Sequence, residues 1–365
     1  MKSDVLYQIA LTLVPNIGDV ISRELINRFG SAENIFKAKK KDLEALEGMG
    51  SIRVNAILNF SNFKAAEEEV KFIEKYKIQV YSFSDEKYPK RFLNCYDPPV
   101  LLYFKGNADL NASKIIGIVG TRKNSDYGKQ LCEKVIEELS QEDVIIVSGL
   151  AFGIDTIAHK SALKNGLKTI GVVGHGLDRI YPSENKSLAK EMIENGGILS
   201  EFKSGTNPDK QNFPRRNRIV AGICDAILVV ESSIKGGSLI TAEVANGYNK
   251  DVFAFPGRTT DVRSEGCNYL IRSNKAALAS SGNNILEVLG WATVEKKKKQ
   301  QRELFIELSE EERTIINILQ FKEQMHIDEL YLSSGLSSSI VASVLLNLEV
   351  QGLITSLPGK LYRIN

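Results

Sequence analysis

Between Lys114 and Ser281, short unbroken apolar runs alternate with stretches of helical spacing. The runs are Ile115–Val119, Val144–Ser148, Thr169–Val173, Ile198–Glu201, Ala226–Val230, Asp251–Phe255 and Ala276–Ala279, and almost every one ends in Gly, Ser or Pro. Runs without polar alternation predict parallel strands covered on both faces and joined by helical crossovers. In such sheets ligands bind beyond the carboxyl ends of the strands. The flanks read differently. Residues 1 to about 78 place Ile9, Leu13 and Ile17, then Val20, Ile21, Leu25, Ile26 and Phe29, at helical spacing. Tyr88–Cys95 predicts a short helix, and Val100–Lys105, after Pro98-Pro99, an edge strand. From residue 304 onward the pattern gives helices near 309–321, 326–333 and 337–351. A small hairpin follows, with Leu353-Ile354 and Leu361–Ile364 flanking Pro358-Gly359. That order is a winged helix.

Composition adds limits. The 365 residues carry a net charge of only +2, so any polyanion-binding surface has to be local. Cys95, Cys132, Cys224 and Cys267 are scattered, which fits neither a zinc site nor a disulfide framework and suggests a reducing cytoplasm. No apolar run reaches the ~18–20 residues that span a bilayer, so a cytoplasmic protein without membrane contact is expected.

The strand tips hold the candidate chemistry. The first ends in Gly120-Thr121-Arg122. Gly117 and Gly120 lack the third glycine of a dinucleotide fingerprint, so no nucleotide cofactor is expected. The second gives Ser148-Gly149 through Gly153, Asp155 and His159. Two readings stand: an anion nest with an acid/base pair at i, i+4, or a helix cap paired with a structural histidine. His159 and His175 without a third clear ligand make no metal site. Beyond Glu201, four cations and Phe213 fall within the nine residues from Lys210 to Arg218. Cations neutralise phosphates and an aromatic face stacks on an unpaired base, so this segment points to single-stranded nucleic acid. The bland alternative is a solvated basic helix with Phe213 in the core. Lys235-Gly236-Gly237-Ser238 opens another helix as an anion site, without the order of an ATPase P-loop. Arg122, Lys210, Arg215, Arg216, Arg218, Lys235 and Arg258 should then share one basic rim.

The ends carry weaker signals. Val14–Gly18 and Leu46–Gly50 resemble the turns of helix-hairpin-helix motifs, which can offer backbone N–H groups to phosphate. With twelve basic residues against eleven acidic in 1–78, two tight turns in a bundle without phosphate contact are the better reading. The third helix of the winged segment, Ser337 to Gln351, has no Lys or Arg, which favours a protein contact over DNA reading.

Taken together, Gly120-Thr121-Arg122, Ser148–His159, Gly176 through Tyr181-Pro182 and Asn185, Phe213–Arg218, Gly237–Thr241 and Pro256-Gly257 resemble the DNA-processing protein A (DprA, or Smf) family in its long form. One departure is Gly236, where the family commonly has serine. The resemblance implies an α/β fold: an extended Rossmann-like, mostly parallel sheet over 79–290. It would be flanked by an all-α SAM-like helix-hairpin-helix domain over 1–78, a basic linker over 291–303, and a small winged-helix domain over 304–365. It also implies a non-enzymatic recombination mediator that protects incoming single-stranded DNA and loads RecA onto it in natural transformation. Such a protein would be a homodimer through the Rossmann domain. The expected DNA contacts are Thr121, Arg122, Ser148, Gly149, Lys210, Phe213, Arg215, Arg216, Asn217, Arg218, Lys235, Gly236, Gly237 and Ser238. The rival is a nucleoside-monophosphate-cleaving enzyme of related fold, using Asp155, Glu201 or Glu231.

Overall fold

The computed structural model describes residues 2–292, 308–322, 324–357 and 359–364. It has two compact units, 1–293 and 294–365. The Lys296–Lys299 run lies outside the described residues.

The first unit is built on a nine-stranded sheet. Its strands are β1 (Gln79–Ser82), β2 (Leu101–Gly106), β3 (Ile115–Val119), β4 (Ile145–Ser148), β5 (Thr169–Val172), β6 (Gly196–Ser200), β7 (Ala226–Val229), β8 (Asp251–Ala254) and β9 (Ala277–Leu278). Their order is β1-β2-β6-β5-β4-β3-β7-β8-β9. All seven expected strands form and run parallel, from β6 across to β9. Val100–Lys105 was expected at the edge. It forms β2, antiparallel between β6 and the unanticipated β1, which takes the edge instead. The Tyr88–Cys95 segment is a 3₁₀ turn over Lys90–Asn94.

The pleat of β3 shows why its apolar run is unbroken. Ile115 and Val119 enter one core and Ile116 and Ile118 the other, so both faces are covered. Gly117 serves packing rather than a cofactor. A Cβ there would lie 3.1 Å from Cys224 Sγ and 3.6 Å from Val220, and would collide with Ile227. Its absence lets the helix Asn212–Ile223 lie close on the sheet.

Chain order reverses beside β3. The crossovers step outward through β4, β5 and β6, then return to β7 on the other side. A crevice between oppositely directed connections forms at such a switch point.

The helices of 2–76 share a core with the sheet: Ile9, Ala10, Ala66 and Ile73 pack with Leu101 and Tyr103. Polar ties reinforce this junction. Asp19, first residue of the helix Asp19–Phe29, accepts the Val100 N–H at 3.1 Å and a bond from Arg218 at 2.8 Å. Buried Glu69 accepts the Ser204 N–H. The two hairpin-like turns are joined by Arg53, which donates to Asn16 and Gly48 carbonyls.

The second unit has helices Glu310–Gln320, Ile327–Ser334 and Ser338–Val350. A three-stranded sheet accompanies them, ordered β10 (Met325–His326), β12 (Leu361–Ile364), β11 (Ile354–Leu357). The hairpin was expected and β10 was not, being only two residues long. Ser309 and Glu312 close a capping box at the first helix. Ile315, Leu319, Leu330, Val341, Leu345 and Leu348 form the core.

All four cysteines are buried free thiols. Among the described residues no single helix is long and apolar enough to cross a membrane.

Candidate nucleic-acid interface

At the switch point the tips of β3, β4 and β7 surround a cleft of 410 Å³. One wall comes from the helix Asn212–Ile223, whose Phe213, Arg216, Asn217 and Val220 all line it. Their i, i+3, i+4, i+7 spacing puts them on one helix face. Gly120, Thr121 and Arg122 follow β3, Gly149 and Ala151 follow β4, and Gly236, Gly237 and Ser238 follow β7.

Phe213 is the centre of the cationic part. The exposed Arg122 guanidinium lies 5.1 Å from its ring centroid, and that of buried Arg216 lies 6.0 Å away. Tyr181, 46% exposed, is 6.5 Å from Phe213, and Phe152 is 43% exposed on the adjoining cleft. Exposed aromatics in glycine-rich loops are the signal that could have added these two residues to the expected set. Lys210 is exposed on the lining. Among the described residues neither Arg122 nor Lys210 makes an ion pair. Unlike them, most of the remaining basic segment is engaged inside the protein.

Arg216 sits on the floor. Its Nη1 donates to the Val172 carbonyl at 2.9 Å, and its Nε is buried without a partner. A Cβ at residue 149 would fall inside this guanidinium and 2.7 Å from Asp155 Oδ2, which is why glycine stands there. Asp155 fills the expected anion nest itself. Its Oδ2 accepts the N–H groups of Gly149 at 3.1 Å and Ala151 at 3.3 Å. Burial raises its carboxyl above the usual range, while Arg216 and these N–H groups pull it down.

His159 does not pair with Asp155, correcting both earlier readings of that residue. It is fully buried, with Nδ1 2.7 Å from Thr169 Oγ1. Burial, helped by Arg216, depresses it to about 3, so it is a neutral core residue. His175 is also buried, with Nδ1 2.9 Å from the Gly176 carbonyl.

Four more expected contacts stand elsewhere. Ser148 is buried and donates to the Ile118 carbonyl at 2.6 Å. Arg218 points away from the cleft, binding Asp19 and Glu201 beneath the helical segment. Arg215 is exposed but lies over Phe202 at 4.9 Å and reaches Glu201 at 3.5 Å. Lys235 is exposed beside the cleft without lining it. The expected seven-cation rim is therefore reduced, and Arg216 and Arg218 are not surface cations. Residues two apart on a helix do not share a face, so these two had to diverge.

At the β7 tip, Gly236 precedes the helix Gly237–Gly247, whose first N–H groups have no intrahelical acceptor. The Ser238 hydroxyl turns inward to Ser232 at 2.7 Å. A Cβ at Gly236 would strike the Ser232 hydroxyl, so the position where the family commonly has serine is sterically tight here.

The carboxylates of the rival reading are committed. Glu231 accepts the Ser125 N–H at 2.8 Å and hydroxyl at 2.5 Å, anchoring the start of the helix Asp126–Leu139. Glu201 is buried against Arg218 and Arg215; burial raises it to about 7 against their pull. Among the described residues no three His, Cys, Asp or Glu side chains converge as a metal site.

Comparison with known proteins agrees with this architecture. The family DNA recombination-mediator protein A matches residues 79–290, and the DprA winged helix domain matches 301–360. Protein Smf of Synechocystis is 33% identical over 99% of both chains. The crystal structure of DNA processing protein A from Streptococcus pneumoniae superimposes with a TM-score of 0.65 at 36% identity, covering 77% of this chain and 96% of that one. A Helicobacter pylori DNA processing protein A, whose structure is described as giving insight into its single-stranded DNA binding mode, has a TM-score of 0.53 at 33% identity. It covers 59% of this chain and 97% of that one. Whole-length similarity and the two matching families agree: the chain belongs to the DNA recombination-mediator protein A (DprA/Smf) family.

Proposed function

We propose that the protein binds single-stranded DNA in the switch-point cleft, protects it, and passes it to RecA. The observation that carries this reading is the Arg122–Phe213 stack at a cleft mouth that Lys210 also lines. Arg122 covers a ring face in the free protein. When its guanidinium turns to a phosphate, that face opens to a base. Lys210 and Lys235 meet neighbouring phosphates, and the helix N-terminus at Gly237 offers backbone donors. Thr121, Gly149, Asn217 and Gly236 shape the wall, while Arg216 supports Phe213 from inside. A duplex hides its base faces, so unpaired strands are preferred. No bond chemistry is involved.

The resemblance further suggests a cytoplasmic homodimer joined through the sheet unit. Leu278 on the edge strand β9 is exposed, which favours that edge. Helix Ser338–Val350, without Lys or Arg, supports a protein partner for the winged unit.

Fluorescence anisotropy with oligo-dT and its duplex, across a salt series, tests the reading. Arg122→Ala and Lys210→Ala should each weaken single-strand binding and lower the log–log salt slope by about 1. Unchanged binding in both variants would move the site elsewhere. RecA filament assembly on the bound strand then tests the handover.

A further inference from the structure

A second cleft, of 620 Å³, opens between the start of the helix that follows β3 and the loop that follows β8. Its lining includes Ser125, Tyr127, Pro256, Gly257 and Arg258. We infer that it is a second nucleotide station for the same strand, with Tyr127 stacking on a base and Arg258 holding a phosphate. This inference rests on single-strand binding at the first cleft.

Tyr127 is in the first turn of the helix Asp126–Leu139 that follows β3 and is 50% exposed. Its hydroxyl lies 3.3 Å from the Pro256 carbonyl, which orients the ring at the cleft while half of the side chain stays open. A tyrosine spent on the core would be covered; this one offers contact area that nothing in the chain uses. Arg258 is exposed, and among the described residues it makes neither an ion pair nor a side-chain hydrogen bond. The lining carboxylate, Asp261, is turned to its own loop, accepting the Arg263 N–H at 3.0 Å and the Ser264 hydroxyl at 3.4 Å.

The loop that carries Arg258 is held firmly. Gly257 exchanges two bonds with the Asn268 side chain, at 3.1 and 3.0 Å, and a Cβ there would strike Ser264. A built loop holding an unpaired arginine opposite an open tyrosine combines the two elements of single-strand recognition, charge and stacking.

The two clefts are also connected. Glu231 pins both ends of the wall between them: its carbonyl accepts the Thr121 N–H at 2.8 Å and its carboxylate holds Ser125. Arg122 faces one cleft and Ser125 lines the other. In the sheet, β3 and β8 are separated only by β7, so their tips lie about two strand spacings apart, roughly 10 Å. A strand leaving Phe213 past Arg122 is then directed along the tips toward Tyr127.

The test compares Tyr127→Ala, Tyr127→Phe and Arg258→Ala against a dT dinucleotide, which at roughly 3.4 Å per nucleotide is too short to reach from one tip to the other, and oligo-dT of about 16 nucleotides. For the long strand, Tyr127→Ala should lose at least about fivefold in affinity, the low end for one lost stacking contact. Arg258→Ala should lower the salt slope by about 1. Binding of the short strand, filled by the first cleft alone, should be unchanged, and Tyr127→Phe should bind like wild type. Equal loss on both lengths, or no loss on either, overturns the second station. Arg122→Ala serves as the separate control: if wild type binds neither strand, or Arg122→Ala has no effect, the fault lies with the first cleft.

Discussion

Gly149→Ala places a methyl group where the Arg216 guanidinium now lies. The guanidinium cannot retreat into the sheet, because Arg216 is buried and bonded to the Val172 carbonyl at 2.9 Å. The substitution therefore forces the charge off its acceptor. Losing a charged hydrogen bond costs about 1.5–3 kcal/mol, and overpacking adds about 1–3. Roughly 4 kcal/mol of lost stability follows. At about 2–4 °C per kcal/mol for a unit of this size, the melting transition should fall by on the order of 10 °C. Thermal and urea denaturation of the full chain measure this, and a double-mutant cycle isolates the cause. In an Arg216→Met background the guanidinium clash is gone and only the 2.7 Å approach to Asp155 Oδ2 remains, so adding Gly149→Ala should cost at least about 2 kcal/mol less than in wild type. An equal cost in both backgrounds, or a Gly149→Ala protein as stable as wild type, would refute the argument that the glycine exists for Arg216.

Two further outcomes follow from buried charge. Arg218→Ala leaves Glu201 buried without its closest cation and breaks the tie to Asp19, at about 3–5 kcal/mol. Hydrogen exchange should speed up at the Val100 N–H and in the helices of 2–76, and unchanged protection there would mean that the apolar junction suffices. His159, depressed to about 3, binds its proton more weakly folded than unfolded. Its contribution is thus intact above the unfolded value near 6.5 and is lost as pH falls toward 3, by about 1.4 kcal/mol per unit. Glu201, raised to about 7, acts in the opposite direction, losing its contribution as pH rises from about 4.5 through 7. Comparing wild type with His159→Leu cancels the Glu201 effect. Between pH 7 and 5, wild type should lose about 2 kcal/mol more than the variant in urea denaturation.

The parallel strands were legible because burial on both faces leaves an unbroken apolar run, as in Ile115–Val119. β1 was not, since Gln79–Ser82 has one exposed and two half-buried positions and little apolar signal. β2 was misplaced to the edge because Pro98-Pro99 breaks the chain just before it and proline favours edge strands, while pairing partners are a property of the whole sheet. At the site, sequence gave the cations but not their directions. Arg122 and Lys210 are exposed, whereas Arg216 and Arg218, drawn from the same run, turn to opposite sides of one helix, the first buried and the second largely covered by its ion pairs. Helical periodicity contained that distinction: Phe213, Arg216, Asn217 and Val220 share a face, and Arg215 and Arg218 share another. The nest at Gly149 was also legible, but not its occupant, because Asp155 reaches it only through the turn that starts the next helix.

The buried cysteines have a practical consequence for watching the protein at work. All four thiols are enclosed, and burial raises each of them, Cys95 to about 11 and Cys267 to about 12. Maleimide dyes react with thiolate, so at neutral pH the native side chains should remain unlabelled. A cysteine introduced beside either cleft would then take up fluorophore alone, and single-molecule transfer along a DNA strand could be followed without first stripping the protein of its own sulfur.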